Sequence, residues 1–171
     1  MAIKKLELAK TLRPFTGQNG VYVSLTPSLK TQRELYHLSN LVFEGFTRPV
    51  RIKLPDEYHL TVMWSKVCPA DPGLSPGKVY LATLDRLDYW VGHDNDGYLG
   101  AVLKSPAIQS LHQSWTDRGA EHSFPDLKIH VTLADKFRPT AELLRKIKGL
   151  SKRYAGTSLM FGNETREDLK H

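Results

Sequence analysis

The chain has almost no cysteine: Cys68 is the only one in 171 residues. An internal disulfide and a cysteine-based zinc site are both excluded, which suits a reducing compartment. Cys68 also lacks the surroundings of a nucleophile. Val67 and Pro69-Ala70-Asp71-Pro72-Gly73 read as a loop, with no helix start or local base to lower its pKa. No apolar run reaches transmembrane length, and no secretory hydrophobic region follows Lys4-Lys5. The expectation is a cytoplasmic protein without a membrane partner. In that setting the acceptor pattern Asn163-Glu164-Thr165 carries no meaning. A long basic tail and an arginine-rich tract are missing as well, which argues against a duplex-binding arm.

Metal-binding spacings are equally scarce. His93-Asp94-Asn95-Asp96-Gly97 falls short of a calcium loop and reads as a hairpin turn. His112, Asp117, Glu121 and His122 match no zinc pattern and read as a solvated face. No metal and no cofactor is expected. What the chain does have is an excess of base over acid, 24 Lys and Arg against 18 Asp and Glu, for a net charge of +6. That favours an anionic partner such as a nucleotide or nucleic acid. The basic residues are spread along the chain, and Arg145, Lys146, Lys148, Lys152 and Arg153 read as a solvated helix face.

Two short segments repeat one pattern: Tyr58-His59-Leu60-Thr61-Val62 and Ile129-His130-Val131-Thr132-Leu133. Side chains alternate faces along a strand, so each segment sets an imidazole and a hydroxyl on one face and apolar residues on the other. Polar pairs repeated at matched positions gain nothing in packing. Side by side, the two strands form a site of two histidines and two threonines. Two imidazoles near neutral pKa can serve as base and acid, and two hydroxyls can hold the non-bridging oxygens of a phosphodiester. His59, His130, Thr61 and Thr132 are the candidate catalytic residues. Which histidine is acid and which is base is open.

The rest of the chain supplies the frame. Gly17 to Gly20 is a turn and Val21 to Leu25 a strand. A helix starts near Thr26-Pro27-Ser28 and runs to about Gly45 on Leu29, Leu35, Leu38, Leu41 and Val42. The first motif strand covers about 57–66. Residues 68–78, rich in Pro and Gly, read as a linker or flap. Strands at 79–91 and 98–104 flank the hairpin turn. Helices run from Ser105-Pro106 to about Arg118 and from Arg138-Pro139-Thr140 to about Lys148. The second motif strand covers 128–134 and a last strand 157–161. Strand, helix and motif strand thus occur twice. The expected fold is one α+β domain spanning 1–171, with two pseudo-symmetric lobes of antiparallel sheet, about 17–66 and 79–165, around a central groove. Tyr22, Trp64, Tyr89, Trp90 and Tyr98 are the aromatic candidates near that groove, with Trp64 read as core.

The paired H-x-T motifs on repeated strand-helix-strand units resemble the 2H phosphoesterase superfamily, from Tyr22 to Glu164. More narrowly, the chain is similar to the phage anti-CBASS nucleases, which cleave cyclic oligonucleotide messengers of bacterial immunity without metal. The features are Asn19-Gly20-Val21-Tyr22-Val23, His59-Leu60-Thr61, Trp90 before the hairpin, His130-Val131-Thr132 and Glu164. The resemblance implies a metal-independent phosphodiesterase acting on 3′-5′ bonds of cyclic di- or trinucleotides, with no obligatory protein partner. It implies that Tyr22 and Trp90 hold bases and that Glu164 lies near the site. The RNA 2′-5′ ligase branch and the small 2′,3′-cyclic phosphodiesterases share both motifs and stay open, as does a module that binds cyclic nucleotides or RNA ends without cleaving them.

Overall fold

Alternation along the first strand sets the two faces of the sheet. Val21, Val23 and Leu25 are fully buried, while Tyr22 stays partly open on the opposite face. The computed structural model describes residues 15–92, 95–124 and 126–169. In chain order these form β1 (Val21–Pro27), α1 (Leu29–Phe43), β2 (Arg51–Ile52), a 3-10 turn (Pro55–Glu57), β3 (Leu60–Ser65), β4 (Tyr80–Val91), β5 (Gly97–Lys104), α2 (Pro106–Asp117), β6 (His130–Phe137), α3 (Ala141–Tyr154) and β7 (Ser158–Glu167). The result is α+β, with antiparallel strands in the order β2-β6-β3-β1-β7-β4-β5. β5 also pairs with β6, so six of the strands close into a ring.

Exchanging β3 with β6, β1 with β5 and β7 with β4 leaves the strand order of the ring unchanged. β1-α1-β3 then corresponds to β5-α2-β6, the strand-helix-motif strand unit seen twice in the sequence. The lobe limits differ from the expected ones. β7 pairs with β1 as well as β4, so the C-terminal strand returns to the first lobe's sheet.

The helices start where side chains can cap them. The hydroxyls of Ser28, Ser105 and Thr140 accept the backbone N–H groups of Thr31, Ile108 and Leu143. Pro106 opens α2, where its missing N–H costs nothing. α3 runs on through Gly149 to Tyr154, beyond the stop expected near Lys148. Among the described residues nothing crowds Gly149, and the left-handed residue that follows the helix is Gly156, at φ +85°. β7 likewise continues past Phe161 to Glu167. A register shift against Ser24 and Thr26 and a positive φ at Asn163 carry the strand across Gly162-Asn163.

Another register shift corrects the reading of Trp64. Ser24 opposes Thr61, but Val23 opposes Met63 and Tyr22 opposes Trp64. The extra residue at Val62 resets the alternation, so Trp64 shares the face of Tyr22 and is half-buried against Phe124.

The segment 68–78 is no free flap. Arg118 stacks on Trp115, 4.1 Å from the ring centroid, and donates to Gly73 O at 2.6 Å. Arg166 donates to Pro72 O. The buried Glu164 carboxylate accepts from Ser75 N at 2.8 Å and from Trp115 Nε1 at 3.0 Å. Three side chains therefore pin it as a strap.

Candidate active site

The two motif strands meet. β3 and β6 pair antiparallel through Leu60 and Val131. Carried one residue either way, that register sets Thr61 beside His130 and His59 beside Thr132. Each imidazole thus has the other strand's hydroxyl for a neighbour. The apolar residues between them, Leu60, Val62, Val131 and Leu133, are all buried on the helix side.

Both rings are anchored in the same way. His59 Nδ1 lies 3.0 Å from Glu57 O, and His130 Nδ1 lies 2.7 Å from Lys128 O. A carbonyl only accepts, so each Nδ1 carries a proton and each neutral ring keeps its lone pair on Nε2. His59 is exposed and His130 is partly buried. Burial lowers the pKa of His130 first of all, and the positive charges of Lys128 and His59 add to this. The bond to the Lys128 carbonyl opposes it without reversing it.

Two aromatic residues complete the face. The Tyr22 hydroxyl lies 3.0 Å from Thr61 Oγ1, and its ring stands edge-on to His59, centroids 6.4 Å apart. Burial holds the phenol above its ordinary pKa, so it stays protonated. Trp90 stands edge-on to His130 at 5.2 Å. Lys128 Nζ lies 4.9 Å from the indole centroid and 3.0 Å from Asp88 Oδ2. Nearby, Ser24 and Thr165 share a hydrogen bond of 3.0 Å, and Glu167 is the cross-strand neighbour of Tyr22. The face is open to solvent at His59. A concavity of about 490 Å³ lined in part by Asp85, Lys104 and Lys128 reaches Lys128 but contains neither histidine.

The match to a protein-family model decides the family: residues 19–171 match that of the anti-CBASS protein Acb1. The chain belongs to the Acb1 family. It is also 27% identical over 126 residues to the anti-CBASS protein Acb1 of Vibrio phage KVP40, covering 72% of this chain and 77% of the relative. Among solved structures, the crystal structure of TT0787 of Thermus thermophilus superposes with a TM-score of 0.52, at 15% identity. The match covers 86% of this chain and 83% of that one, and it speaks for the fold alone. The fold is the 2H phosphoesterase-like arrangement that the motifs resembled.

In this Acb1-family chain, six of the seven sequence candidates gather on one face of the sheet: His59, Thr61, His130, Thr132, Tyr22 and Trp90. Glu164 does not. It sits on the helix side of the sheet, its carboxylate occupied by Trp115 and the strap. The bulge near Asn163 turns it inward and leaves Thr165 and Glu167 on the face of Ser24 and Tyr22. Tyr89 turns to the core side against Phe137. His112 and His122 are not a solvated face either. They stack edge-on at 4.8 Å, His112 Nδ1–H donates to Val62 O, and His122 Nδ1 accepts from Trp64 N. Among the described residues no three His, Cys, Asp or Glu side chains cluster to hold a metal ion. His93 and Asp94 lie outside the described residues; Asn95, at φ 61°, closes the turn onto Gly92 O. Sequence reasoning missed Glu57 and Lys128, although both charged residues precede their histidine by two positions.

Proposed function

We propose that the chain is a phosphodiesterase that opens cyclic oligonucleotide signals at 3′-5′ bonds, with His59 and His130 as its acid–base pair. The observation that carries this reading is the pair of Nδ1-anchored imidazoles on adjoining antiparallel strands, each beside the opposite threonine. Membership of an anti-CBASS family supports the substrate class, and a phage product acting in the host cytoplasm fits it.

His130, held toward its neutral form, is suited to take the proton of a ribose 2′-OH on Nε2. O2′ then bonds to phosphorus and the P–O5′ bond breaks. Protonated His59 returns a proton to O5′ from its Nε2. The products of this step are a 2′,3′-cyclic phosphate and a free 5′-OH. Thr61 and Thr132 donate to the non-bridging oxygens as charge gathers there. With Tyr22 as the donor in its 3.0 Å hydrogen bond to Thr61 Oγ1, the threonine's own proton is left for the phosphate. Trp90 offers a stacking surface for a base. Proton transfer and charge stabilisation are both supplied by side chains, so the step requires no metal.

The test is incubation with cyclic di- and trinucleotides, 2′,3′-cyclic mononucleotides and short RNA, with EDTA present. Ring opening by the wild type that is lost in His59→Ala and His130→Ala supports the proposal. Cleavage of only the mononucleotides or RNA moves the activity to RNA-end chemistry. Tight binding without turnover leaves a sequestering module.

A further inference from the structure

His59 and His130 make matching hydrogen bonds on unequal supports. The carbonyl of Lys128 belongs to a segment held in the sheet, where Leu103 N donates to Ile129 O at 2.9 Å. The carbonyl of Glu57 ends a 3-10 turn that precedes β3, and His59 itself lies before the strand and is exposed. The turn's own backbone bonds run from Glu57 N to Leu54 O at 2.9 Å and from Tyr58 N to Pro55 O at 3.3 Å, with the poorer geometry usual in such turns.

The turn is braced by the Glu57 carboxylate. Its Oε2 accepts from Leu54 N at 2.7 Å, and its Oε1 pairs with Arg51 Nη2 at 2.5 Å. The Leu54 N–H and the Arg51 guanidinium together hold the carboxyl below its ordinary pKa, so it is charged at neutral pH. The other arm of the guanidinium, Nη1, reaches Asp135 Oδ2 at 3.3 Å. Asp135 is buried on β6, the strand that carries His130, and Lys53 Nζ lies 3.7 Å from the same oxygen. Arg51 therefore ties the turn that holds one histidine to the strand that bears the other.

We propose that Arg51, acting through Glu57, is a positioning residue for His59. It fixes the direction of the Glu57 carbonyl, and through it the Nδ1–H tautomer and the aim of Nε2. The inference rests on the reading of His59 as a proton-transfer group. Arginine is needed because two separate nitrogens meet two carboxylates; one ammonium cannot span them. The Arg51–Glu57 pair is exposed and adds little to stability, and Asp135 keeps Lys53 when Arg51 is removed, so the effect falls on orientation more than on folding.

The test is side-chain ¹⁵N–¹H correlation spectra of the histidines, assigned with His59→Ala, for the wild type and for Arg51→Ala, Arg51→Lys, Glu57→Ala and Glu57→Gln. Turnover of the cyclic oligonucleotide is measured alongside. In the wild type, neutral His59 carries its proton on Nδ1. In both alanine variants and in Arg51→Lys the tautomers mix while the His130 signals stay in place. In the same variants kcat falls by about tenfold or more with KM near the wild-type value. Glu57→Gln, whose amide oxygen can still accept from Leu54 N, keeps part of both properties. An unchanged His59 tautomer in the two alanine variants, at wild-type thermal stability, overturns the inference. A tautomer that follows Arg51 in a protein that cleaves no phosphodiester supports the brace and overturns the proposed function instead. If Arg51→Ala fails to fold, Arg51→Lys and Glu57→Gln carry the comparison.

Discussion

A β-carbon on Gly100 would lie 2.2 Å from Cη2 of Trp90. The indole therefore lies over the β5 backbone at Gly100, where no side chain intervenes. Gly100 opposes Thr132 and is two residues from Val102, the partner of His130. The glycine is what lets the indole reach the second motif.

Gly100→Ala is expected to push the indole off this seat without breaking the strand. Affinity for the cyclic nucleotide falls by about 1–3 kcal/mol, the value of one base stack. Trp90→Ala shows a similar loss, and the double variant is no worse than either single one. Titration calorimetry, with tryptophan fluorescence to report the displaced ring, checks this.

Tyr22→Phe keeps the ring beside His59 and removes only the hydroxyl that meets Thr61 Oγ1. The expected outcome is a kcat lower by about three- to tenfold, the worth of one neutral hydrogen bond, with KM little changed. Steady-state rates over a substrate series show whether the loss lies in kcat or in KM.

Glu164→Ala removes the shared acceptor of Trp115 Nε1 and Ser75 N. Stability is expected to fall by about 2–3 kcal/mol, and the 68–78 strap to become open to proteolysis. Turnover well below the new melting temperature stays near wild type. Denaturant unfolding and limited proteolysis read the two effects separately.

The motif pair, the antiparallel sheet and the helix starts were legible because they rest on local rules. Period two puts His59 with Thr61 and His130 with Thr132; Ser28, Ser105 and Thr140 are capping residues in plain view. That the motif strands lie side by side was only a condition of the sequence reading; the pairing of Leu60 with Val131 is a finding of the structure. What misled were register changes. The extra residue at Val62 turned Trp64 to the face of Tyr22, and the kink at Asn163 turned Glu164 inward. A bulge leaves no reliable mark in sequence, and a one-residue shift reverses every later side chain. The strap was misread because Pro and Gly mark irregular backbone, while its restraints come from Arg118, Glu164 and Arg166, far along the chain. The Gly100 seat needs two strands at once and so could not be seen in one.

The pKa shifts set a direction for pH dependence. Burial holds both His130 and His122 below the ordinary imidazole value, with a positive neighbour adding to each. In the unfolded chain both take up protons near pH 6.5, and the folded protein withholds them until lower pH. Stability is therefore full above that pH and declines as pH falls through it toward the folded values. His122→Asn, which can still accept from Trp64 N, is expected to flatten part of this decline in melting curves from pH 8 to 5. For turnover, the proposed role of neutral His130 as base puts the acid limb of kcat/KM below the ordinary imidazole value, in the direction of the lowered His130 pKa.

The most direct measurement is chromatography with mass spectrometry of a cyclic oligonucleotide after exposure to the protein in excess chelator. Internal attack by O2′ makes a linear isomer of unchanged mass that elutes apart from the ring and gains one water when its 2′,3′-cyclic phosphate opens. That isomer from the wild type, and its absence from His59→Ala and His130→Ala, is the outcome the two-histidine account predicts. An intact ring with the wild type, or the same linear product from either alanine variant at the wild-type rate, would contradict it.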